Sequence, residues 1–419
     1  MTAARPRIFL KRGRANPVWR GHPWVYSGAV EETKGSFEPG DVVEVCDVEK
    51  RLIGAGFVNP RSQIVVRMLT RGPLEMAAGS LGALEGSVVE HAPAAGDPVS
   101  VLIEGRIDAA LALRRRLGLP SESTTAYRLV NSEGDGLPGL VVDMYGQVAA
   151  VQFTALGMKR QEAAVYRALE RFAGLVAIVE VAAGSFSNIE GFAATTRVVW
   201  GDPEVLRGGV SCRENDVELR VDLEQGQKTG LFLDQRDNRL RLARYARGAD
   251  VLDVYCYVGG FSLAALRHGA RSATCVDSSA RALERARAHA ALNGLTQLET
   301  VEADAFRYLE GATPHRFDVV VVDPPKFARA QRDLPAALKG YQRLNALALN
   351  AVRRGGLLAT CSCSQLVDSE SFERMVAAAA QDAGRRVTIV ELSSQGPDHP
   401  VPPGFTEGRY LKFMLLGVD

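Results

Sequence analysis

The alternation of strand-length apolar runs with helical stretches, which begins at about residue 205, constrains the fold more than any other feature of this chain. Such alternation predicts parallel strands covered by helices on both faces, the architecture of a doubly wound α/β sheet. A helix over 279–293 is expected to end at Gly294. The predicted strands are residues 250–255, 272–277, 317–323, 356–362 and 387–392. A last strand at 410–418 follows without a crossover helix and is therefore expected to be antiparallel.

The rest of the chain predicts three further segments. Residues 1–72 contain short β-type runs separated by Gly and Pro, such as 41–46 and 63–67, which is typical of a small β-rich domain. Residues 73–98 are rich in Ala, Gly and Pro and are interpreted as a linker or a loosely held helix. Residues 99–200 mix both element types, so we expect a central α+β domain ahead of an α/β domain at 201–419.

Three elements are predicted inside the central segment. Residues 147–154 predict a strand, and residues 158–172 predict a helix. Residues 107–117 also predict a helix, which is expected to be basic on one side because Arg114, Arg115 and Arg116 lie together.

Length and hydropathy indicate a protein of several domains and argue against a membrane-spanning or secreted one. A chain of 419 residues exceeds one ordinary hydrophobic core, so several domains are expected. No apolar run is long enough to span a bilayer, and residues 1–24 lack the apolar region of a secretory signal. We therefore expect a cytoplasmic protein with no membrane partner.

The first charged residues of the chain are all basic. The formal net charge of +1 neither demands nor excludes nucleic acid as a partner. A basic stretch that contains aromatics suits phosphate contacts and base stacking in RNA, but an ordinary solvated arm has the same composition, and both interpretations stay open. Arg5, Arg7, Lys11, Arg12, Arg14 and Arg20 precede Glu31, and Trp19, Trp24 and Tyr26 lie among or just after them.

The six cysteines are scattered except for one C-x-C pair, Cys361 and Cys363. No C-x-x-C pair occurs and the histidines do not cluster near cysteines, so no metal site is expected. Most of the cysteines are interpreted as small buried apolar side chains. The C-x-C pair needs a separate explanation.

Residues with ligand-binding chemistry follow the predicted strands where each one ends, which is where ligands bind in open α/β sheets. Gly259 and Gly260 come after the first strand and let the backbone approach a ligand before a helix that starts near Phe261. Asp277 ends the second strand, where a carboxylate can accept both hydroxyls of a ribose. The absence of G-x-G-x-x-G argues against a dinucleotide.

Two more strand ends carry carboxylates. A short strand near 298–301 leads to Asp304, which is placed to meet the exocyclic amine of an adenine. The next strand ends in Asp323 followed by two prolines, a pattern that is also found where prolines merely terminate a strand. Each residue alone is more often structural than functional, but four in this order indicate a ligand site.

Several of these segments resemble the RNA m5C methyltransferases of the RlmI type, which modify a cytosine of large-subunit ribosomal RNA. The resemblance also covers residues 126–145, a tail at 398–400 and 407–412, and an N-terminal PUA-like module, so it extends over nearly the whole chain. The most specific match is the run GQKTGLFLDQRDNR at 226–239, which is accompanied by the matching segments 253–261, 323–327, 340–341 and 360–364.

The resemblance implies a class I methyltransferase fold at 201–419, with a seven-stranded sheet and an antiparallel last strand. It further implies a PUA-like RNA-binding domain at 1–72, S-adenosylmethionine as the cofactor, large-subunit (23S) ribosomal RNA as the partner, and a homodimer. The cofactor-binding residues expected on this basis are Lys228, Asp234, Arg236, Asp253, Tyr257, Gly259, Gly260, Phe261, Asp277, Ser278, Asp304, Asp323 and Pro324.

The C-x-C pair fits covalent chemistry on cytosine. Carbon 5 of cytosine is a poor nucleophile, and a thiolate that adds to carbon 6 activates it. Cys361 and Cys363 are two apart at the end of a strand, so strand alternation does not separate them. The S-C-S element of the resembled family favours Cys363 as the nucleophile, and Asp323 is the expected partner of the cytosine edge.

Three alternatives remain at this point. A methyltransferase of the same fold that acts on a purine nitrogen also fits Asp323 with its prolines, but leaves Cys363 without a role. A non-catalytic RNA-binding factor in ribosome assembly would leave the strand-end residues unexplained. A dehydrogenase lacks its nucleotide fingerprint. The residues do not identify which cytosine is modified.

Overall fold

The computed structural model describes residues 5–81, 97–224, 230–328 and 330–419. The chain divides into two compact units. The first unit comprises residues 1–212, 220–231 and 397–408, and the second comprises residues 213–219, 232–396 and 409–419. The finer division at residues 72, 98 and 200 stays a prediction.

The first unit begins with a six-stranded sheet in the order β2-β6-β5-β4-β1-β3. Strand β1 pairs antiparallel with β3 and parallel with β4. Gly54 lies where a Cβ atom would meet the carbonyl oxygen of Thr70 at 1.9 Å, so only glycine fits there. The elements are β1 (Arg7–Leu10), α1 (Asn16–Trp19), β2 (Trp24–Tyr26), β3 (Val30–Lys34), β4 (Val42–Cys46), β5 (Leu52–Val58) and β6 (Ile64–Met68).

A second sheet of the first unit has five strands in the order β11-β10-β9-β8-β7. Buried apolar residues of α3 share one core with β7, β8 and β9. The elements are α2 (Leu74–Leu81), α3 (Pro98–Arg116), β7 (Ala126–Asn131), β8 (Leu140–Tyr145), β9 (Val148–Phe153), α4 (Leu156–Lys159), α5 (Glu162–Glu170), β10 (Ala177–Glu180), α6 (Ser185–Glu190) and β11 (Arg197–Gly201). A separate two-stranded sheet follows, formed by β12 (Val210–Glu214) and β13 (Val217–Val221).

Two predictions for the central segment were wrong. The helix predicted over 158–172 is divided into α4 and α5, because the backbone at Gln161 leaves the helical region with φ −100° and ψ 13°. The predicted basic side of α3 does not include Arg114. That side chain is fully buried, forms an ion pair with Asp135 and donates a hydrogen bond of 2.9 Å to the carbonyl oxygen of Arg128. The spacing of arginines did not reveal this internal partner.

The second unit contains a seven-stranded sheet in the order β16-β15-β14-β17-β18-β20-β19. Its elements are α7 (Arg236–Ala243), β14 (Asp250–Val254), α8 (Gly260–Arg267), β15 (Ser272–Asp277), α9 (Ala280–Leu292), β16 (Leu298–Glu302), α10 (Ala305–Gly311), β17 (Phe317–Val322), α11 (Leu334–Ala351), β18 (Val352–Ser362), α12 (Ser369–Asp382), β19 (Val387–Ser393) and β20 (Lys412–Val418).

This sheet confirms the predicted α/β fold with an antiparallel last strand. Strands β14 to β18 pair in parallel, and β20 pairs antiparallel with both β18 and β19. The central β14 and β17 consist mostly of buried apolar residues because helices cover both faces of the sheet. In the described part of the chain, no helix is both long and apolar enough to cross a membrane.

Candidate active site

The loop after β14 has a strained backbone. Tyr255 and Tyr257 have φ values of 62° and 51°, a region that residues with a Cβ atom rarely adopt. Gly259 also has a positive φ, of 80°, and a Cβ atom there would meet the methyl group of Ala286 in α9 at 3.1 Å. Strained backbone of this kind persists where the surrounding structure holds it, and it is frequent at binding sites.

Asp253 connects the end of β14 to the first turn of α8 through hydrogen bonds. Its side chain is fully buried, and its Oδ2 atom accepts hydrogen bonds from the backbone N–H of Ser262 at 3.1 Å and from the Ser262 hydroxyl at 3.0 Å. Burial raises the pKa of Asp253 to about 7. Phe261 is also buried and stacks on Phe413 with ring centroids 6.4 Å apart. Both residues support the loop, and a direct contact with a cofactor stays a prediction for them.

Asp277 is held by backbone donors at the end of β15. Its Oδ2 atom accepts a hydrogen bond of 2.9 Å from the N–H of Tyr257, and its Oδ1 atom accepts one of 2.9 Å from the N–H of Ser279. The carboxylate is half-buried and Ser278 beside it is exposed. Each carboxylate oxygen can accept a further hydrogen bond, and the contact of Asp277 with a ribose stays a prediction.

Asp304 follows β16 and caps α10. Its Oδ1 atom accepts a hydrogen bond of 3.0 Å from the N–H of Arg307, which is the usual contact of an N-terminal cap. The residue is exposed at the same edge of the sheet as Asp277. Capping alone explains an aspartate here, so its contact with adenine stays a prediction.

Asp323 lies directly after β17, and its carboxylate has a buried side-chain partner. The Nε2 atom of Gln235 donates a hydrogen bond of 3.0 Å to its Oδ2 atom. Asn238 in turn donates to the Oε1 atom of Gln235 at 2.7 Å. Gln235 and Asn238 are almost fully buried, at 2% and 0% exposure. Sequence reasoning missed both, although they lie inside the run 226–239 that carried the family resemblance.

The two cysteines of the C-x-C pair have different surroundings. Cys361 lies on β18, is fully buried in the cluster that contains Phe261 and Phe413, and has a pKa raised well above its ordinary value by burial. The strand ends at Ser362, so Cys363 lies beyond it and is only half-buried. The predicted strand alternation therefore does not extend to Cys363, and exposure separates the two thiols.

Residue 234 and the first residues of α7 are fixed by buried polar contacts. Asp234 accepts a hydrogen bond of 2.5 Å from the Tyr410 hydroxyl. Arg239 is paired with Glu214 through contacts of 2.7 and 2.9 Å. Arg236 is buried as well, with its Nε atom 3.0 Å from the carboxylate of Asp237. Lys228 lies outside the described residues.

The groups gathered at this edge fit S-adenosylmethionine. An oriented carboxylate at Asp277 has the chemistry needed for the ribose, and an exposed carboxylate at Asp304 has that needed for the adenine amine. Gly260 and Pro324 complete the expected set, the glycine at the first position of α8 and the proline buried after β17. Within the described residues, no group of three or more His, Cys, Asp or Glu side chains is arranged to hold a metal ion.

Family models match two parts of the chain. Residues 8–71 match a PUA-like domain, and residues 140–402 match an S-adenosylmethionine-dependent methyltransferase. The predicted PUA-like module and the predicted cofactor are both confirmed by these matches.

Relatives match over almost the full length. Ribosomal RNA large subunit methyltransferase I of Alteromonas mediterranea is 37% identical over 416 residues, which is 98% of each chain. The protein of the same name from Shewanella denitrificans is 38% identical over 98% of this chain and 99% of its own.

Solved structures show the same fold. A candidate SAM-dependent methyltransferase from Streptococcus mutans covers 98% of this chain and 99% of its own, with a TM-score of 0.77 at 21% identity. Another methyltransferase structure, complexed with SAH, has the same coverage and a TM-score of 0.78. The chain belongs to the family of S-adenosylmethionine-dependent methyltransferases that contains ribosomal RNA large subunit methyltransferase I.

Proposed function

We propose that this protein methylates carbon 5 of a cytosine in large-subunit ribosomal RNA through a covalent adduct between Cys363 and carbon 6. The observation that carries the proposal is the difference between the two thiols of the C-x-C pair. Cys363 lies past the end of β18 and is accessible, at the sheet edge where Asp323 follows β17. Cys361 is fully buried. The names of the full-length relatives support ribosomal RNA as the substrate.

The covalent route makes carbon 5 of the cytosine nucleophilic enough to accept a methyl group. The Cys363 thiolate adds to carbon 6, and the electron pair of the ring double bond is then available at carbon 5. S-adenosylmethionine, when bound, supplies an electrophilic methyl group. After carbon 5 has been methylated, a base takes its proton, the double bond re-forms, and the bond between sulfur and carbon 6 breaks to release Cys363.

Asp323 orients the base during this addition. Gln235 holds one oxygen of its carboxylate, so the side chain has a fixed direction at the end of β17. It hydrogen-bonds the N3 or N4 edge of the cytosine, which stabilises the ring while the thiolate adds. The target base must be single-stranded or extruded from its helix, because carbon 6 is inaccessible in a stacked duplex.

The end of the sheet formed by β14, β15 and β16 would hold the cofactor. Asp277 would bind the ribose hydroxyls and Asp304 the adenine amine, and the backbone around Tyr257, Gly259 and Gly260 would approach the ligand. The residues that would support these contacts are Asp234, Arg236, Asp253, Phe261, Ser278 and Pro324. A cofactor contact of Lys228 or Asp323 stays a prediction. The homodimer stays a prediction.

The N-terminal basic stretch contributes to RNA binding with only some of its residues. Arg5 pairs with Glu75 and Arg7 pairs with Glu44, so neither charge is available without breaking an ion pair. Four further members are exposed and offer cations and an aromatic ring to phosphates and bases: Arg12, Arg14, Trp19 and Arg20.

The decisive experiment compares two cysteine variants on ribosomal RNA from cells that lack this protein. Methylated positions are mapped by mass spectrometry after incubation with S-adenosylmethionine and wild type, Cys363→Ala or Cys361→Ala. We expect 5-methylcytosine with wild type and with Cys361→Ala, and none with Cys363→Ala. Full activity of Cys363→Ala, or a methyl group on a purine nitrogen, would overturn the proposal in favour of the purine methyltransferase.

A second measurement detects the adduct itself. Fluorine at carbon 5 of the target cytosine cannot leave as a proton does, so the covalent intermediate accumulates. RNA that contains 5-fluorocytosine should shift wild type and Cys361→Ala to higher mass on a denaturing gel, but not Cys363→Ala. Peptide sequencing of the shifted band identifies the attached residue.

A further inference from the structure

Lys412 is a buried cation beside the proposed nucleophile. It lies on β20 directly opposite Ser362 of β18, one residue before Cys363. Its exposure is only 8%, although lysine is rarely buried unless it is paired. No carboxylate lies within salt-bridge distance of it in the part of the chain that the structure describes. An ordinary ion pair therefore does not explain its position.

Two carbonyl groups hold the Lys412 ammonium in place. Its Nζ atom donates to the carbonyl oxygen of Ser364 at 2.5 Å and to that of Tyr410 at 2.8 Å. Ser364 is the residue directly after Cys363, so the first of these bonds fixes the cation against the backbone of the nucleophile. An ammonium has three N–H donors, and among the described residues the third has no hydrogen-bond acceptor.

The charges around Lys412 show that it interacts with the thiol of Cys363. The pKa of Lys412 is lowered to about 8, mainly because the residue is buried and partly because Lys326 is near, whereas Cys363 and Asp368 act to raise it. The interaction is mutual, because a nearby cation stabilises a thiolate as much as a thiolate stabilises the cation. Tyr341 and Cys361 also interact with Cys363, and their negative forms repel its thiolate.

We propose that Lys412 is a positioning residue that keeps Cys363 in its thiolate form through the charge of its carbonyl-held ammonium. This role rests on the proposed function, in which Cys363 is the nucleophile. The low-dielectric surroundings strengthen the attraction between the two groups. A lysine that only joined β20 to the chain after β18 would hold the same two carbonyl groups but would not affect the acidity of the thiol.

The test measures how fast iodoacetamide alkylates Cys363 at different pH values, since only the thiolate reacts. The protein is the full chain without cofactor or RNA, and mass spectrometry of the fragments separates Cys363 from Cys361. Lys412→Met removes the charge, and Lys412→Arg retains it as the matched control. We expect Lys412→Met to react at least about tenfold more slowly at pH 7, with its midpoint at least about one pH unit higher. Lys412→Arg should stay close to wild type.

Fully buried Cys361 reports on folding in the same experiment, because it is labelled only if the second unit opens. If Lys412→Met does not fold, the pH dependence of Cys363 alkylation in wild type still tests the proposal. A wild-type midpoint at or above the ordinary thiol value of about 8.5 would overturn the proposal, as would equal profiles for wild type and a folded Lys412→Met. Failure of the proposed function looks different, since Cys363→Ala would then still methylate RNA whatever the alkylation profile.

Discussion

The two halves of the seven-stranded sheet hold their site residues in different ways. On the side of β14, β15 and β16, the carboxylates of Asp277 and Asp304 accept hydrogen bonds from backbone N–H groups, which lie two or three residues away except for that of Tyr257. On the side of β17 and β18, Asp323 is held by Gln235, which is 88 residues away. Lys412 bonds to Ser364 across 48 residues.

This difference separates a half built by local turns from a half built by tertiary contacts. Backbone donors leave the first two carboxylates near solvent, which suits recognition of a polar cofactor. Buried side chains around Asp323 and Cys363 create a less polar environment in which charges interact strongly, which suits a chemical step. We therefore expect substitutions in the first half to weaken cofactor binding, and substitutions in the second to slow the reaction.

The largest effect is expected for Asp323→Asn. Loss of this charge should lower the single-turnover rate of methyl transfer by about 10³-fold, equivalent to about 4 kcal/mol of transition-state stabilisation. The affinity for S-adenosylmethionine, measured by calorimetry, should fall at least tenfold less than the rate. Equal losses in rate and affinity would show that Asp323 acts on the cofactor, as Asp277 and Asp304 are expected to, and that the two halves of the sheet do not differ in this way. Gln235→Glu is a useful companion, since it places a second charge beside the carboxylate.

The sequence alone predicted the positions of Asp277 and Asp304 in the locally built half of the sheet, but it predicted only some of the residues in the half built by tertiary contacts. Apolar runs located the strands, and Asp277 and Asp304 followed because the first ends a strand and the second lies shortly after one. The end of β18 at Ser362 distinguishes Cys363 from Cys361, but no Gly or Pro marks it in the sequence. Gln235 and Lys412 are recognisable only once distant strands have been brought together, and the burial of Arg114 depends on Asp135 in the same way.

The second-largest effect is expected on the free energy of unfolding, and it comes from the raised pKa of Asp253. Its pKa rises from an ordinary value of 3.8 to about 7 on folding, so the folded protein retains this proton between those pH values and unfolding releases it. The associated stability is fully present below about pH 4 and is lost as pH rises to about 7. Asp253→Asn cannot titrate, and its free energy of unfolding relative to wild type should increase by about 2 to 4 kcal/mol from pH 4 to pH 8.

Urea unfolding of wild type and Asp253→Asn at several pH values measures this difference. Most of the change should occur by pH 7, with a plateau above it. Asparagine has the same shape and retains an oxygen that can accept from Ser262, so packing is not the variable. A difference that does not vary with pH would show that Asp253 is not protonated in the folded protein.

Asp277→Ala should weaken S-adenosylmethionine binding by about 10- to 100-fold, because it removes charged hydrogen bonds to the ribose. It also removes the acceptor for the N–H of Tyr257, so Asp277→Asn, which keeps one oxygen, should show a smaller loss. Calorimetric titration gives both affinities. The rate at which iodoacetamide alkylates Cys363 should not change, and a change there would mean that the two halves are coupled.

The smallest effect is expected at Asp304, where capping and cofactor binding use one carboxylate. Asp304→Ala should lower the free energy of unfolding by about 1 kcal/mol, since the N–H of Arg307 loses its partner. Asp304→Ser can still cap α10 but has no carboxylate. If Asp304 binds the adenine amine, both variants lose affinity for S-adenosylmethionine, and only Asp304→Ala loses stability. If Asp304→Ser binds the cofactor as wild type does, Asp304 is a cap alone, and the locally built half relies on Asp277 for its charged contact.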